Sequence, residues 1–310
     1  MDIDRRGSGL HTLAMQEKAC LITGAASGMG KIAARELARQ GAKLILVDNQ
    51  AEQGAATTAE LREVTANANI RFLPCDIACL SQVRALAAKI NASYPRLDVL
   101  INNAGLVHPE YQLTDEGHEM HMATHHLGHF LLTRLLLDKL QHSAPARIVV
   151  IASDGHKAAR GVAWDDMNGA ALWKGRRFSN NAGFMAYARS KLCTVLFTRA
   201  LAQRLDPNRV TVNAVSPGYF VATDIYRHMR GLFKLGVTVL RPLFTDPERA
   251  AKTYVYLASS PDVAGITGHY WEHCAKKACS PAAEDDIAAE RLWQWSCDVT
   301  DSEPEMKLAS

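Results

Sequence analysis

Tyr187 and Lys191 stand four residues apart in "YARSK", a spacing that puts both side chains on one face of a helix. A phenol titrates near ~10 and is a poor base at neutral pH. An ammonium held beside it stabilises the phenolate and draws its pKa toward the working range. Such a pair can move a proton on and off an oxygen. YxxxK also arises by chance on helix surfaces, so its meaning depends on what shares its edge of the fold. Ser153, ending the apolar run "ARIVVIAS", supplies a hydroxyl able to hydrogen-bond a substrate oxygen.

A second chemistry lies near the start of the chain. "TGAASGMGK" spaces Gly24, Gly28 and Gly30 as GxxxGxG between an apolar strand, "ACLITG", and a helix-like run, "GKIAARELARQGA". Such a turn lets backbone approach a pyrophosphate, with the helix N-terminus offering free N–H groups and a positive dipole end. Asp48 ends the next strand, "KLILVD", 18 residues beyond Gly30. A carboxylate there accepts both adenosine ribose hydroxyls and repels a 2′-phosphate. Asn49 and Ser27, where a basic side chain would favour that phosphate, are uncharged, so NAD rather than NADP is expected. Asp48 could instead merely cap the helix that follows. Asp76, after the third strand, and "NNAG", after the fourth, fall on the same edge, though Asx and glycine are also ordinary turn formers.

"HMATHHLGHFLLT" gathers His121, His125, His126 and His129, with His118 just upstream. At helical spacing His121, His125 and His129 form a drifting stripe. No HExxH arrangement and no neighbouring cysteine accompany them, so structural imidazoles are expected and no metal.

The elements that must position these groups alternate strand and helix from Lys18 onward. Strands are read at "ACLITG", "KLILVD", "IRFLPCD", "LDVLINNAG", "ARIVVIAS", "RVTVNAVSPG" and near "GHYWEH". Helical patterns separate them, one running from about Thr114 to Leu140 and another from Phe184 to Leu205. Strands buried on both faces with helical crossovers predict an α/β fold, a doubly wound parallel sheet of about seven strands in the order 3-2-1-4-5-6-7. Right-handed crossovers put ligand chemistry at the carboxyl ends of the strands. The stretch 155–183 breaks the pattern and reads as a long functional loop. Residues 17–300 are read as one domain, 1–16 as a flexible extension and 301–310 as a flexible tail.

Composition closes off other classes. The 310 residues carry 35 basic and 32 acidic side chains for a net charge of +3, with no long single-sign run to suggest nucleic acid. No run approaches the roughly 18 apolar residues of a membrane span. Seven scattered cysteines without a CxxC pair read as reduced thiols, hence a cytoplasmic setting.

TGxxxGxG, NNAG, a strand-end serine, YxxxK and "NAVSPG" occur in that order. The chain from about 17 to 297 thus resembles the short-chain dehydrogenase/reductase family. "HLGHFLLT", "SDGHK", "RPLFTDPERAA" and "GITGHYWEHCAKKACSP" resemble its retinol dehydrogenase-like branch. The resemblance implies a Rossmann-type fold with Tyr187 as general acid/base, Ser153 polarising the substrate oxygen, and Lys191 binding the nicotinamide ribose. Gly24, Ser27, Gly28, Met29 and Gly30 would cradle the pyrophosphate. Asp76 and Ile77 would flank the adenine, and Asn103, Ala104 and Gly105 would lie along the cofactor. Pro217 and Gly218 would shape the nicotinamide pocket, and Thr223 would meet the carboxamide, although "PGYFVAT" is one residue longer than the usual PGxxxT. His125 stands where the family has an asparagine that bends the helix and holds a water relaying protons to the lysine. Because imidazole titrates near neutrality, His125 is expected to take over that relay; the alternative is that it only packs.

Trp164, Trp173, Tyr219, Phe220, Ile225 and Met229, on the two variable segments, are expected to line a pocket for a bulky lipophilic alcohol or ketone. The expected function is hydride transfer between NAD and such a substrate in a homodimer or homotetramer paired through long helices. The alternatives are an NADPH-dependent carbonyl or double-bond reductase, or a dinucleotide-binding regulator without catalysis.

Overall fold

The computed structural model describes residues 15–218, 221 and 244–303. Eight strands form one sheet in the order β3-β2-β1-β4-β5-β6-β7-β8. They are β1 (Ala19–Thr23), β2 (Lys43–Asp48), β3 (Ile70–Pro74), β4 (Val99–Asn102), β5 (Ala146–Ile151), β6 (Val210–Val215), β7 (Tyr270–Glu272) and β8 (Ala275–Lys276). The first seven pair in parallel. β8 is an antiparallel addition of two residues, too short to carry a periodic sequence signal. Every residue of β1, β4 and β6 is buried, as expected for strands covered on both faces.

Helices α1 (Gly28–Arg39), α2 (Ala51–Thr65) and α3 (Leu80–Ser93) follow β1, β2 and β3. They are succeeded by α4 (Gly128–His142), α5 (Asn180–Ala202), α6 (Pro247–Ser259) and α7 (Asp286–Val299). The core lies in two layers. Ala33, Ala34 and Leu37 of α1, Leu61 of α2 and Tyr254 of α6 pack on one face of the sheet. Val83, Ile90, Phe130, Leu136, Leu192 and Leu196 of α3, α4 and α5 pack on the other.

Three expectations need correction. The helix read from Thr114 begins only at Met120, where Glu119 caps it by accepting the N–H groups of His121 and Met122. The preceding residues form a turn whose Glu116 carboxylate accepts the Leu80 and Ser81 N–H groups at 3.0 Å each and so caps α3. Between Met122 and α4 the chain makes a π-turn, Ala123–Leu127. Met15, assigned to the flexible extension, is buried in the core beneath α1. Residues 1–14 and 304–310 lie outside the described residues.

The last helix packs on the core. Trp293 of α7 meets Phe130 at 5.1 Å and Phe197 at 6.4 Å, and His126 meets Ser296 Oγ at 2.7 Å. Arg199 pairs with Asp286. The chain's own α7 thereby covers that stretch of α4 and α5. Among the described residues, no helix is long and apolar enough to cross a membrane.

Candidate active site

The carboxyl ends of β1 to β6 open into a cleft of about 450 Å³. Gly24, Ser27, Gly28, Met29, Asp48, Asn49, Asp76, Ile77, Asn103, Ala104, Gly105, Tyr187, Lys191 and Pro217 all line it. Gly30, Ser153, His125 and Gly218 are not among the lining residues, although Ser153 is half-buried and hydrogen-bonds Tyr187, which is. Tyr219, Phe220, Thr223, Ile225 and Met229 lie outside the described residues.

One end of the cleft is built from backbone. A Cβ on Gly30 would fall 2.3 Å from Gly24 O and 2.6 Å from Asn103 Nδ2, so only glycine lets α1 start this close to the β4 turn. Asn103 Nδ2 donates to Thr23 O and Gly24 O at 2.8 and 3.0 Å. The Thr23 hydroxyl accepts the Asn103 and Ala104 N–H groups at 2.8 and 3.0 Å. Asp48 Oδ2 accepts Ala26 N–H at 3.0 Å and Oδ1 accepts Gln50 N–H at 3.1 Å. The carboxylate thus joins the glycine turn to Gln50, the residue that precedes α2, without bonding a helical N–H, and it lines the cleft with lone pairs to spare. Lys31, the cation on this rim, is paired with Glu60 at 2.6 Å.

The other end is built from side chains, Lys191 buried and Tyr187 and Ser153 half-buried. Tyr187 lies on α5, with the Lys191 ammonium 5.8 Å from its ring centre. Burial pushes the Tyr187 phenol up to about 12, against a hydrogen bond from Ser153 that lowers it. Burial also brings Lys191 down to about 7, and its Nζ donates to Ile151 O at 2.7 Å. Ser153 therefore meets Tyr187 across the end of β5, as the strand–helix reading required.

His125 sits at the centre of the π-turn, its ring edge-on to Tyr187 at 5.4 Å. Its Nε2 accepts Leu106 N–H at 3.0 Å, so Nδ1 carries the proton and donates to Ser190 Oγ at 2.8 Å. The Ser190 hydroxyl donates onward to Tyr187 O at 2.8 Å. Burial, then the positive charge of Lys191, holds its pKa well below the ordinary imidazole value. A relay by titration near neutrality loses its basis, because both nitrogens are committed and the ring stays neutral. His129 is likewise buried and neutral, its pKa pushed down to about 3, and it contacts the Thr23 hydroxyl at 2.9 Å. Among the described residues no cluster of His, Cys, Asp and Glu fits a metal ion.

Two pocket expectations go to other places. Trp173 is 2% exposed; its Nε1 donates to Pro109 O at 3.2 Å and its ring packs on Tyr111 at 5.1 Å. Trp164 packs against the core with the Arg291 guanidinium 4.2 Å over its ring. Neither lines the cleft. Leu106, Met120 and Thr124 do, and sequence reading missed them. Met120 and Thr124 are one turn apart beside the histidine stripe, and that stripe drew attention to the face turned into the core.

A parallel sheet with a glycine-tight β1–α1 turn, a β2 carboxylate and a Ser–Tyr–Lys set defines a dinucleotide-dependent oxidoreductase. Residues 18–163 match the short chain dehydrogenase family model, and 171–274 match that of enoyl-(acyl carrier protein) reductase. Human retinol dehydrogenase 13 is 41% identical over 282 residues, covering 89% of this chain and 82% of its own. A crystal structure of an uncharacterized Mycobacterium paratuberculosis protein superposes with a TM-score of 0.72 at 29% identity, covering 94% of this chain and 96% of its own. The 3-ketoacyl-(acyl-carrier-protein) reductase of Brucella melitensis, solved with NADH, gives 0.62 at 25% identity, covering 83% and 97%. The same fold elsewhere is solved with NADP or NADPH. The chain belongs to the short-chain dehydrogenase/reductase family, in its retinol dehydrogenase-like branch.

Proposed function

We propose that this protein is an NAD-dependent alcohol dehydrogenase acting on a bulky lipophilic alcohol or its carbonyl partner. The observation that carries the reading is the convergence of Ser153, Tyr187 and Lys191 at one end of a cleft whose other end is Asp48. Gly24 and Gly30 leave no room for a side chain against Asn103 and Ala104, which keeps the start of α1 and its free N–H groups at the cleft, where they fit a pyrophosphate. A bound nicotinamide would supply the hydride acceptor for oxidation and the donor for reduction.

The chain's own residues handle the proton and the substrate oxygen. In oxidation the Tyr187 phenolate takes the alcohol O–H proton while the carbinol C–H leaves as hydride; in reduction the phenol returns that proton. Ser153 Oγ hydrogen-bonds the same oxygen and holds it against the phenol. With burial working to keep Tyr187 protonated, the Lys191 ammonium on the same helix face favours the phenolate. The neutral His125 holds Leu106 on the cleft wall and, through Ser190, the backbone of Tyr187: a positioning role.

Support for NAD is the carboxylate of Asp48 beside uncharged Ser27 and Asn49, with Lys31 neutralised by Glu60. Support for a lipophilic substrate is the apolar wall of Leu106 and Met120 and the named activity of the relatives, which makes retinol the first alcohol to try. All seven cysteines are free thiols. Burial pushes Cys75 and Cys193 up to about 12, and such inert thiols suit a cytoplasmic setting. The test is NADH formation from NAD with retinol, a hydroxysteroid and an aromatic secondary alcohol. Turnover with NADP alone would favour the reductase reading, and tight NAD binding without turnover would favour a silent regulator.

A further inference from the structure

Apart from Ser153 itself, the "SDGHK" turn after β5 and the "GHYWEHCAKKACSP" segment beyond α6 have no part in the reaction as derived above, yet they meet in the structure. Ser153 opens a short 3-10 turn, Asp154–Ala158, in which Gly155 N–H donates to Ser153 Oγ at 3.0 Å. A Cβ on Gly155 would stand 3.0 Å from Tyr187 Cε1, so this turn runs directly against the phenol. Wherever the turn goes, the serine hydroxyl goes with it.

Two buried side chains fasten it. His156 is fully buried. Its Nδ1–H donates to Ser153 O at 2.7 Å, and its backbone N–H donates to the same oxygen at 3.1 Å. Its Nε2 accepts Ser280 N–H at 3.2 Å, and Tyr270 meets the ring edge-on at 5.2 Å. With a backbone donor on Nε2 the proton sits on Nδ1, and burial foremost lowers the ring's pKa, so this bridge holds in one tautomer. Asp154, 4% exposed, accepts the Tyr270 hydroxyl at 3.0 Å and Lys277 Nζ at 2.5 Å, and pairs with Lys157 at 3.2 Å. Burial works to protonate this carboxyl, but the hydrogen bonds of Lys277, Lys157 and Tyr270 outweigh it and keep it ionised. Lys277 is itself held by Glu272. Neither Asp154 nor His156 lines the cleft.

We propose that Asp154 and His156 are positioning residues, which tie the Ser153 turn to segment 270–280 and so fix where Ser153 Oγ meets Tyr187. The inference rests on the hydride-transfer reading and explains why both segments accompany the catalytic set. A hydroxyl that orients a reacting oxygen is effective only within a fraction of an ångström, and the turn's two fastenings come from far along the chain.

Two histidine replacements separate positioning from bulk. His156→Asn places an amide N–H where Nδ1–H donates to Ser153 O; His156→Gln places its amide at the Nε2 position and leaves that oxygen without its side-chain donor. With NAD and an accepted alcohol, His156→Gln and Asp154→Asn lower kcat by about tenfold or more. His156→Asn stays within about threefold, and NADH affinity, read by fluorescence, is unchanged in all three. Equal kcat in the Asn and Gln variants, or loss of NADH affinity in step with kcat, overturns the inference. If the parent protein turns nothing over, the hydride-transfer reading has failed instead. Crystal structures then still decide: His156→Gln must displace Ser153 Oγ relative to Tyr187 by more than ~0.5 Å, and an unmoved hydroxyl overturns the positioning role.

Discussion

The two ends of the cleft are made of different material. Around β1, β2 and β4 the wall is backbone: glycines, N–H groups and a single carboxylate, Asp48, whose partners are the N–H groups of Ala26 and Gln50. Around β5 and α5 it is made of ionisable side chains, the half-buried Tyr187 and the buried Lys191, and next to them, off the wall, the buried His125, Asp154 and His156, each set by partners far away in sequence. A backbone wall offers the same N–H groups to any dinucleotide, and on the proposed reading one charge, Asp48, does the discriminating. A side-chain wall stores shifted protonation states: burial moves Lys191 to about 7, toward the working range, and Tyr187 to about 12, away from it, so the phenolate depends on the positive charge and hydrogen bonds beside it.

Substitutions at the two ends should therefore fail in different ways. The largest effect belongs to the catalytic end: Tyr187→Phe lowers kcat by about 10²–10⁴-fold with NADH affinity retained, measured by steady-state kinetics beside fluorescence titration. Next comes the backbone end. Asp48→Ser leaves kcat with saturating NAD nearly intact but moves the ratio of kcat/KM for NAD over NADP by about tenfold or more toward NADP. If that ratio stands still, Asp48 only joins the glycine turn to Gln50 and the account of cofactor choice is wrong.

Stability gives a third contrast. Burial lowers Lys191 from 10.5 to about 7. Below about pH 7 folded and unfolded chains both hold its proton, and the folded state bears the whole burial cost. Between about 7 and 10.5 the unfolded chain binds the proton and the folded chain does not, so this residue's contribution to stability rises with pH. Lys191→Met should melt several degrees above the parent near pH 6, with the gap closing as pH rises toward 10. A constant gap in thermal scans across that range would contradict the shift.

The smallest effect concerns His125. With its ring neutral and both nitrogens bonded, His125→Asn should leave the pH–rate profile in place while lowering kcat by a few-fold through a loosened Leu106. A profile displaced by a full unit would restore the relay that the structure removes.

This contrast also explains what the sequence could disclose. That the glycine turn, Asp48 and the NNAG turn line one cleft was legible because their placement follows from local chain geometry, which spacing records directly. The parallel sheet followed from apolar runs buried on both faces. Tyr187, Lys191 and Ser153 were legible as types at the right edge, but their protonation states depend on burial, which spacing does not record. The expected His125 relay rested on an ordinary pKa, which belongs to an imidazole in water and which burial lowers here. Trp164 and Trp173 were misplaced because a tryptophan in an irregular loop fills a core as readily as it lines a pocket. The clamp on the Ser153 turn joins residues more than a hundred positions apart, Asp154 with Lys277 and His156 with Ser280, and no periodicity links them.

The central claim is that the side-chain end of the cleft moves the proton while hydride passes to NAD. It is tested most directly by mixing the protein with NAD and retinol and following NADH absorbance beside the Tyr187→Phe variant. The account predicts steady NADH formation by the parent and almost none by the variant, both binding NADH equally. Equal rates from the two proteins would contradict it.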